Sequence, residues 1–118
     1  MNKFKQLNER VVIWASDKGI LKKATPLTQV YKTQEELDET KESLLAQANG
    51  LEYFTNSKGE YVNTSEQIID DFGDQFVTML IGCKMQNLNP LDCLESALNI
   101  IEKRNGKIIN GVFVKDKD

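Results

Sequence analysis

The chain has no histidine. Ser-His-Asp and Cys-His catalysis, imidazole-held zinc and histidine general bases are thereby excluded, so any chemistry falls to carboxylates, lysines, arginines, hydroxyls or a bound cofactor. Cysteine is scarce as well. Cys83 and Cys93 lack CxxC spacing and sit in an apolar helical pattern, which reads as reduced core thiols rather than a redox or metal pair. There is no run of about 18 apolar residues, and the segment Met1-Asn2-Lys3-Phe4-Lys5-Gln6 lacks the apolar centre of a signal peptide. A cytoplasmic protein with no membrane partner is the expectation. Glycine-rich phosphate loops, EF-hand loops, dinucleotide fingerprints, internal repeats and low-complexity segments are missing too. So is a basic excess: the net charge is −3, which argues against nucleic acid as a partner.

What the chain does have is charge sorted by position. Its 118 residues, 40% hydrophobic, suffice for one domain over 1–118. From Glu35 to Asp74 there are eleven acids and two bases, whereas the remainder holds seven acids and thirteen bases. An acidic middle between basic flanks suits a cation bound at the centre and an anion held between that cation and the bases.

Four helices are predicted. The first covers Asn2 to Lys18, with Leu7, Val11 and Trp14 as its stripe and Gly19 as its stop. Lys22-Lys23-Ala24 reads as a connector. Thr25-Pro26 then supplies a cap and a first-turn proline for a second helix from Pro26 to Ala48, on which Leu27, Val30, Leu37, Leu44, Leu45 and Ala48 share one direction. Residues 51–63, with Tyr53, Phe54 and Tyr61 around Asn56-Ser57-Lys58-Gly59, read as a small hairpin insert. Thr64-Ser65-Glu66-Gln67 fits a capping box opening a third helix that runs to about Gln86 and is apolar nearly all round. A domain this small does not enclose such a helix alone, so self-association follows. Asn89-Pro90 opens the fourth helix, which stops at Asn105-Gly106; Asn110-Gly111 is a turn, Val112-Phe113-Val114 an apolar anchor and Lys115 onward a frayed end.

The acids cluster twice, as Glu35-Glu36-Leu37-Asp38-Glu39 and as Asp70-Asp71-Phe72-Gly73-Asp74. Three-residue spacing sets Glu36 beside Glu39, and Asp71 beside Asp74, on one helical face. The plain reading of the first cluster is a solvated face opposite an apolar stripe. The second resists it: Asp71 and Asp74 lie beyond the reach of the helix dipole, and aspartate is a poor residue for a helix interior. Gly73 leaves room there for a close approach of a helix or ligand. Four hard carboxylates of this kind suit Mg²⁺ or Mn²⁺. The basic end of the fourth helix reads equally as cations complementing its C-terminus or as an anion site.

With both clusters placed, the chain resembles the MazG-like, all-α nucleoside triphosphate pyrophosphohydrolases, whose mark is EExxE on one helix and ExxD on the next. Glu35 to Glu39 match the first part, and Asp71-Phe72-Gly73-Asp74 match the second with aspartate leading in place of glutamate. The segments Trp14 to Leu21 and Arg104 to Lys115 also resemble short members of the family. The resemblance implies a four-helix bundle-like fold assembled as an obligate homodimer or homotetramer. It implies a Mg²⁺ site (Mn²⁺ being possible) at Glu36, Glu39, Asp71 and Asp74, and Glu35 orienting or deprotonating water. It further implies that Lys32, Asn99, Lys103, Arg104 and Lys107 meet the nucleotide or its phosphates. The reaction implied is hydrolysis of a nucleoside triphosphate at the α-phosphorus, giving a monophosphate and pyrophosphate. The alternative is a non-catalytic helical oligomer with a regulatory or interaction role.

Overall fold

A computed structural model describes residues 2–117. Where the sequence reads as one domain, the chain separates into two compact units, Met1–Asn87 and Leu88–Asp118.

In the first unit, α1 (Lys3–Asp17) begins where the Asn2 side chain accepts the Lys5 N–H at 2.8 Å, and ends ahead of Gly19, whose φ of 77° is left-handed. The short helix α2 (Ile20–Lys23) takes up most of the stretch read as a connector. Helix α3 (Pro26–Ala48) has the predicted bounds. Thr25 Oγ1 accepts the Thr28 N–H at 3.1 Å and Thr28 Oγ1 accepts the Thr25 N–H at 2.8 Å, so two donors with no intrahelical partner are satisfied reciprocally.

Strands β1 (Tyr53–Thr55) and β2 (Tyr61–Asn63) form the predicted hairpin, antiparallel with Phe54 opposite Val62. The Tyr53 and Tyr61 rings stack at 5.5 Å. The connecting loop is built by Asn56, whose Oδ1 accepts the N–H groups of Lys58 and Glu60, each at 3.0 Å, and by Gly59 at φ 80°. At its base, the Thr64 N–H donates to the Glu52 carbonyl at 2.8 Å and the Thr64 hydroxyl to the Leu51 carbonyl at 2.7 Å. Helix α4 (Thr64–Met85) therefore starts from the hairpin. Its cap is Asn63, one residue ahead of the predicted box, accepting the Glu66 N–H at 3.0 Å.

Helix α4 packs against α3 and, on another side, α1. The seam between α3 and α4 reverses the expected facing of α3. Its buried residues are Gln29, Glu36, Thr40, Ser43 and Ala46, met by Thr64, Asp71, Thr78 and Ile81 of α4. Leu27, Val30, Leu37, Leu44 and Leu45 are exposed instead, and so are Ile69, Phe72, Phe76 and Met79 of α4. Hydrogen bonds from side chains hold the seam. Gln29 Nε2 donates to the Thr78 carbonyl (3.1 Å), Thr33 Oγ1 to Thr78 Oγ1 (3.0 Å) and Gln75 Nε2 to Thr40 Oγ1 (2.6 Å). Each contributes about 1 kcal/mol net, far less than leaving either partner buried and unpaired would cost. Among the described residues the buried apolar side chains are Ala15, Ala46 and Ile81, too few for a core of ordinary size. Among the described residues nothing lies within 4 Å of a Cβ placed at Gly73, so the room expected there is open.

In the second unit, α5 (Pro90–Ile101) is capped by Asn89, whose Oδ1 accepts from Leu91 and Asp92. Its stripe, Leu91, Leu94, Leu98 and Ile101, is exposed, and Cys93 is exposed rather than a core thiol. The tail is a second hairpin rather than an anchor and a frayed end. Strands β3 (Gly106–Ile109) and β4 (Val112–Lys115) pair antiparallel across Asn110-Gly111, both at positive φ, with Lys107 opposite Val114. The helical class stands, with five helices and two hairpins among the described residues: the expected insert and the one at the tail.

Candidate functional site

Seven-residue spacing along α3 and α4 sends Glu36 and Asp71 into the polar seam, while Glu39 and Asp74 flank it at the mouth. Glu36 is 6% exposed although it was read as part of a solvated face. Its Oε1 lies 3.5 Å from Lys32 Nζ, and its Oε2 is buried without a hydrogen-bond partner among the described residues. Burial raises the Glu36 carboxyl above its usual range, reinforced by the adjacent Glu39 carboxyl and by the charge of Asp74, against which Lys32 acts. Asp74 is raised in the same direction by burial and by the charges of Asp70, Asp71 and Glu39, with Lys58 opposing. The field of each cluster thus reaches the other.

A small cavity of about 50 Å³ opens between the helices and the hairpin, lined in part by Glu39, Ser43, Lys58, Gln67, Asp71 and Asp74. Asp71 forms its floor, fully buried and held at both oxygens: Ser43 Oγ donates to Oδ2, and Gln67 Nε2 to Oδ1 at 2.7 Å. A buried carboxyl group is costly unless such donors satisfy its oxygens. Replacing Ser43 by alanine is expected to lower stability by about 1–3 kcal/mol. Thermal denaturation reads this as a fall of several degrees; an unchanged midpoint would contradict the role assigned to Ser43.

Two lysines serve the acids. Lys32 Nζ is 3.3 Å from Glu35 Oε2, and although burial works against its charge, Glu35 and Glu36 outweigh it and hold the ammonium above the ordinary lysine value. Lys58 Nζ, from the hairpin loop, is 3.2 Å from Glu39 Oε1, and that hydrogen bond and charge raise it likewise. Lys58 did not stand out in the sequence, because only the folded hairpin carries it to α3. The same is true of Glu42, whose carboxylate receives the Ser57 N–H at 2.7 Å and the Ser57 hydroxyl at 2.8 Å. Glu35, with more than half its side chain in solvent, stands at the edge of the cluster.

The structure thus gathers Glu36, Glu39, Asp71, Asp74, Glu35 and Lys32 around one helix seam. Asn99, Lys103, Arg104 and Lys107 belong to the second unit, where Lys103 and Arg104 line an open pocket with Asn105 and Lys115. Among the described residues, no three His, Cys, Asp or Glu side chains are arranged to hold a metal ion as they stand. The donor set nevertheless suits a hard divalent cation: it is all carboxylate oxygen, and the orphaned Glu36 Oε2 is a buried acceptor lacking a donor.

Beside the cavity, and sharing Asp74 with it, an apolar groove of about 780 Å³ runs between α1 and α4, with Leu7, Val11, Trp14, Phe76 and Leu80 in its walls. Trp14 is 48% exposed on this groove rather than part of a core. No helix among the described residues is long and apolar enough to cross a membrane. No family model, no curated protein and no solved structure matches the chain.

Proposed function

We propose that the protein is a MazG-like pyrophosphohydrolase that cleaves nucleoside triphosphates at the α-phosphorus with Mg²⁺, Mn²⁺ being the other candidate ion. The observation that carries this reading is Glu36: a carboxylate buried in a helix seam, one oxygen unpaired, under the negative field of Glu39 and Asp74. Lys32 meets only its Oε1, and a buried carboxylate left half unpaired costs stability. Glu36, Glu39 and Asp74 would hold a divalent ion, with Asp71, fixed by Ser43 and Gln67, behind them or joining through water. An ion there would polarise the phosphate and activate water without histidine. Glu35, exposed at the edge, would accept the proton of the attacking water, with Lys32 orienting its carboxylate. By the resemblance, Asn99, Lys103, Arg104 and Lys107 would meet a nucleotide or its phosphates. The groove at Trp14 suits an aromatic base. Incubation with a panel of standard and modified nucleoside triphosphates and Mg²⁺ should release equimolar pyrophosphate and monophosphate; orthophosphate as the first product, or no product from any, would reject the activity.

The same reading entails self-association. Leucines along α3 and aromatic residues along α4 lie on the outer faces of a seam that is itself polar, and apolar surface of that extent is ordinarily covered by another chain. Light scattering should give at least twice 13.4 kDa, in keeping with a homodimer or homotetramer. A monomer at micromolar concentration would contradict it.

A non-catalytic helical oligomer is favoured by one observation: Lys32 and Lys58 already pair with Glu35, Glu36 and Glu39. That reading expects no effect of divalent ions on stability.

A further inference from the structure

The hairpin β1–β2 is fastened at both ends. Thr64 ties its base to the chain leaving Leu51 and Glu52, and at its tip Ser57 donates twice to Glu42 of α3. Between these anchors Asn56 shapes the loop so that Lys58 is presented to the mouth of the acidic cavity. Its ammonium meets Glu39, but the pair is unequal: the Lys58 side chain is 58% exposed and that of Glu39 16%. The lysine can swing on its stem while the backbone behind it stays clasped; the glutamate, on a packed helix, has less freedom. One turn away on α3, Glu36 Oε2 is buried with no hydrogen-bond donor among the described residues. The cluster is thus partly neutralised from outside by a mobile cation and left unsatisfied within.

We propose that Lys58 is an exchangeable cation, paired with Glu39 when the site is ion-free, released when a divalent ion takes that carboxylate, and then bound to the polyphosphate the ion holds. The inference rests on the metal-site reading above and adds a role for the insert. Both states satisfy the same electrostatic requirement. An ion arriving at Glu39 would face the Lys58 charge at short range and expel it. A diphosphate held by such an ion would bring oxygens within reach of the freed ammonium, since Lys58 lines the same cavity as Glu39 and Asp74.

The test is a pair of calorimetric titrations on the full chain, wild type and Lys58→Ala. The probes are Mn²⁺ alone and then methylenediphosphonate in saturating Mn²⁺. Alanine at 58 leaves the Lys58 N–H to Asn56 and the Ser57–Glu42 clasp in place, and circular dichroism checks that the fold persists. Lys58→Ala should bind Mn²⁺ about threefold tighter, because no exposed ion pair has to be broken. It should bind the diphosphonate about tenfold more weakly, because a charge-assisted hydrogen bond is lost. Lys58→Arg should restore most of the diphosphonate affinity. Opposite signs in the two titrations are the mark of exchange; changes of the same sign, or a change in only one or in neither, would overturn the proposal while leaving the metal site standing. Absence of Mn²⁺ binding in both proteins would overturn the metal site, and this inference with it.

Discussion

Glu39→Gln is expected to lower the turnover of nucleoside triphosphate by two orders of magnitude or more while the helical circular dichroism spectrum stays that of the wild type. The substitution keeps the shape and the length of the side chain but replaces a charged oxygen by an amide. An ion held by carboxylates loses one of its hard ligands, and even groups that merely support such ligands are worth about 10–100-fold. The fold should persist for a specific reason: Glu39 is partnered by the exposed Lys58, not by the seam hydrogen bonds at Gln29, Thr40 and Gln75. An ion pair whose lysine lies mostly in solvent contributes little to stability. Steady-state pyrophosphate release checks the prediction, and wild-type turnover in Glu39→Gln would remove Glu39 from the proposed site.

The second large effect concerns stability. Mg²⁺ or Mn²⁺ at about a hundred times its dissociation constant should stabilise the protein by about 2.7 kcal/mol, a rise of roughly 10 °C or more in the unfolding midpoint of a domain this size. The pH dependence should differ in sign with and without the ion. Glu36 and Asp74 are raised in the folded protein above their ordinary values of 4.5 and 3.8, so the folded state binds their protons more tightly than the unfolded chain does. For these two groups stability rises as pH falls from neutral through the raised values and levels off below the ordinary ones. With the ion bound, the same carboxylates must remain ionised, and acidification through that window removes the stabilisation instead. Differential scanning fluorimetry at several pH values, with EDTA or with Mn²⁺, reads both slopes, and Glu36→Gln should flatten the ion-free one. A midpoint indifferent to divalent ions would favour the non-catalytic oligomer.

Helix ends were legible because their chemistry is local. Thr25-Pro26 and Asn49-Gly50 bracket α3 as they stand, and Asn56 to Gly59 mark the insert hairpin. The facing of α3 was not legible from α3. Its leucines form the more coherent stripe, and only the matching run of Thr64, Asp71 and Thr78 at seven-residue spacing on α4 reveals that the polar sides meet. That run was visible in the sequence, but an apolar stripe is the stronger expectation for a core. The tail hairpin carried a sufficient signal in Asn110-Gly111 between Ile108-Ile109 and Val112-Phe113-Val114. At the candidate site, three-residue spacing set Glu36 beside Glu39 and Asp71 beside Asp74 on one face each, but not which of them turn into the seam. Lys58, Glu42 and Ser43 were not legible, because each acquires its partner only through tertiary contact: the hairpin folded back on α3, or α3 laid against α4.

The inward turn of Glu36 ties fold to function. A polar seam between two helices is less stable than an apolar one of similar volume, and a surface of exposed leucines beside it is a further cost unless other chains cover it. The proposed site accounts for the first and self-association for the second.

The most direct measurement is an anomalous-difference map from crystals grown with Mn²⁺ and methylenediphosphonate. The expected result is a peak at the mouth of the α3–α4 seam, within about 2.0–2.3 Å of oxygens from Glu36 and Glu39, with Lys58 turned from Glu39 to the diphosphonate. A map with no peak in the seam, and Lys58 still on Glu39, would contradict the account.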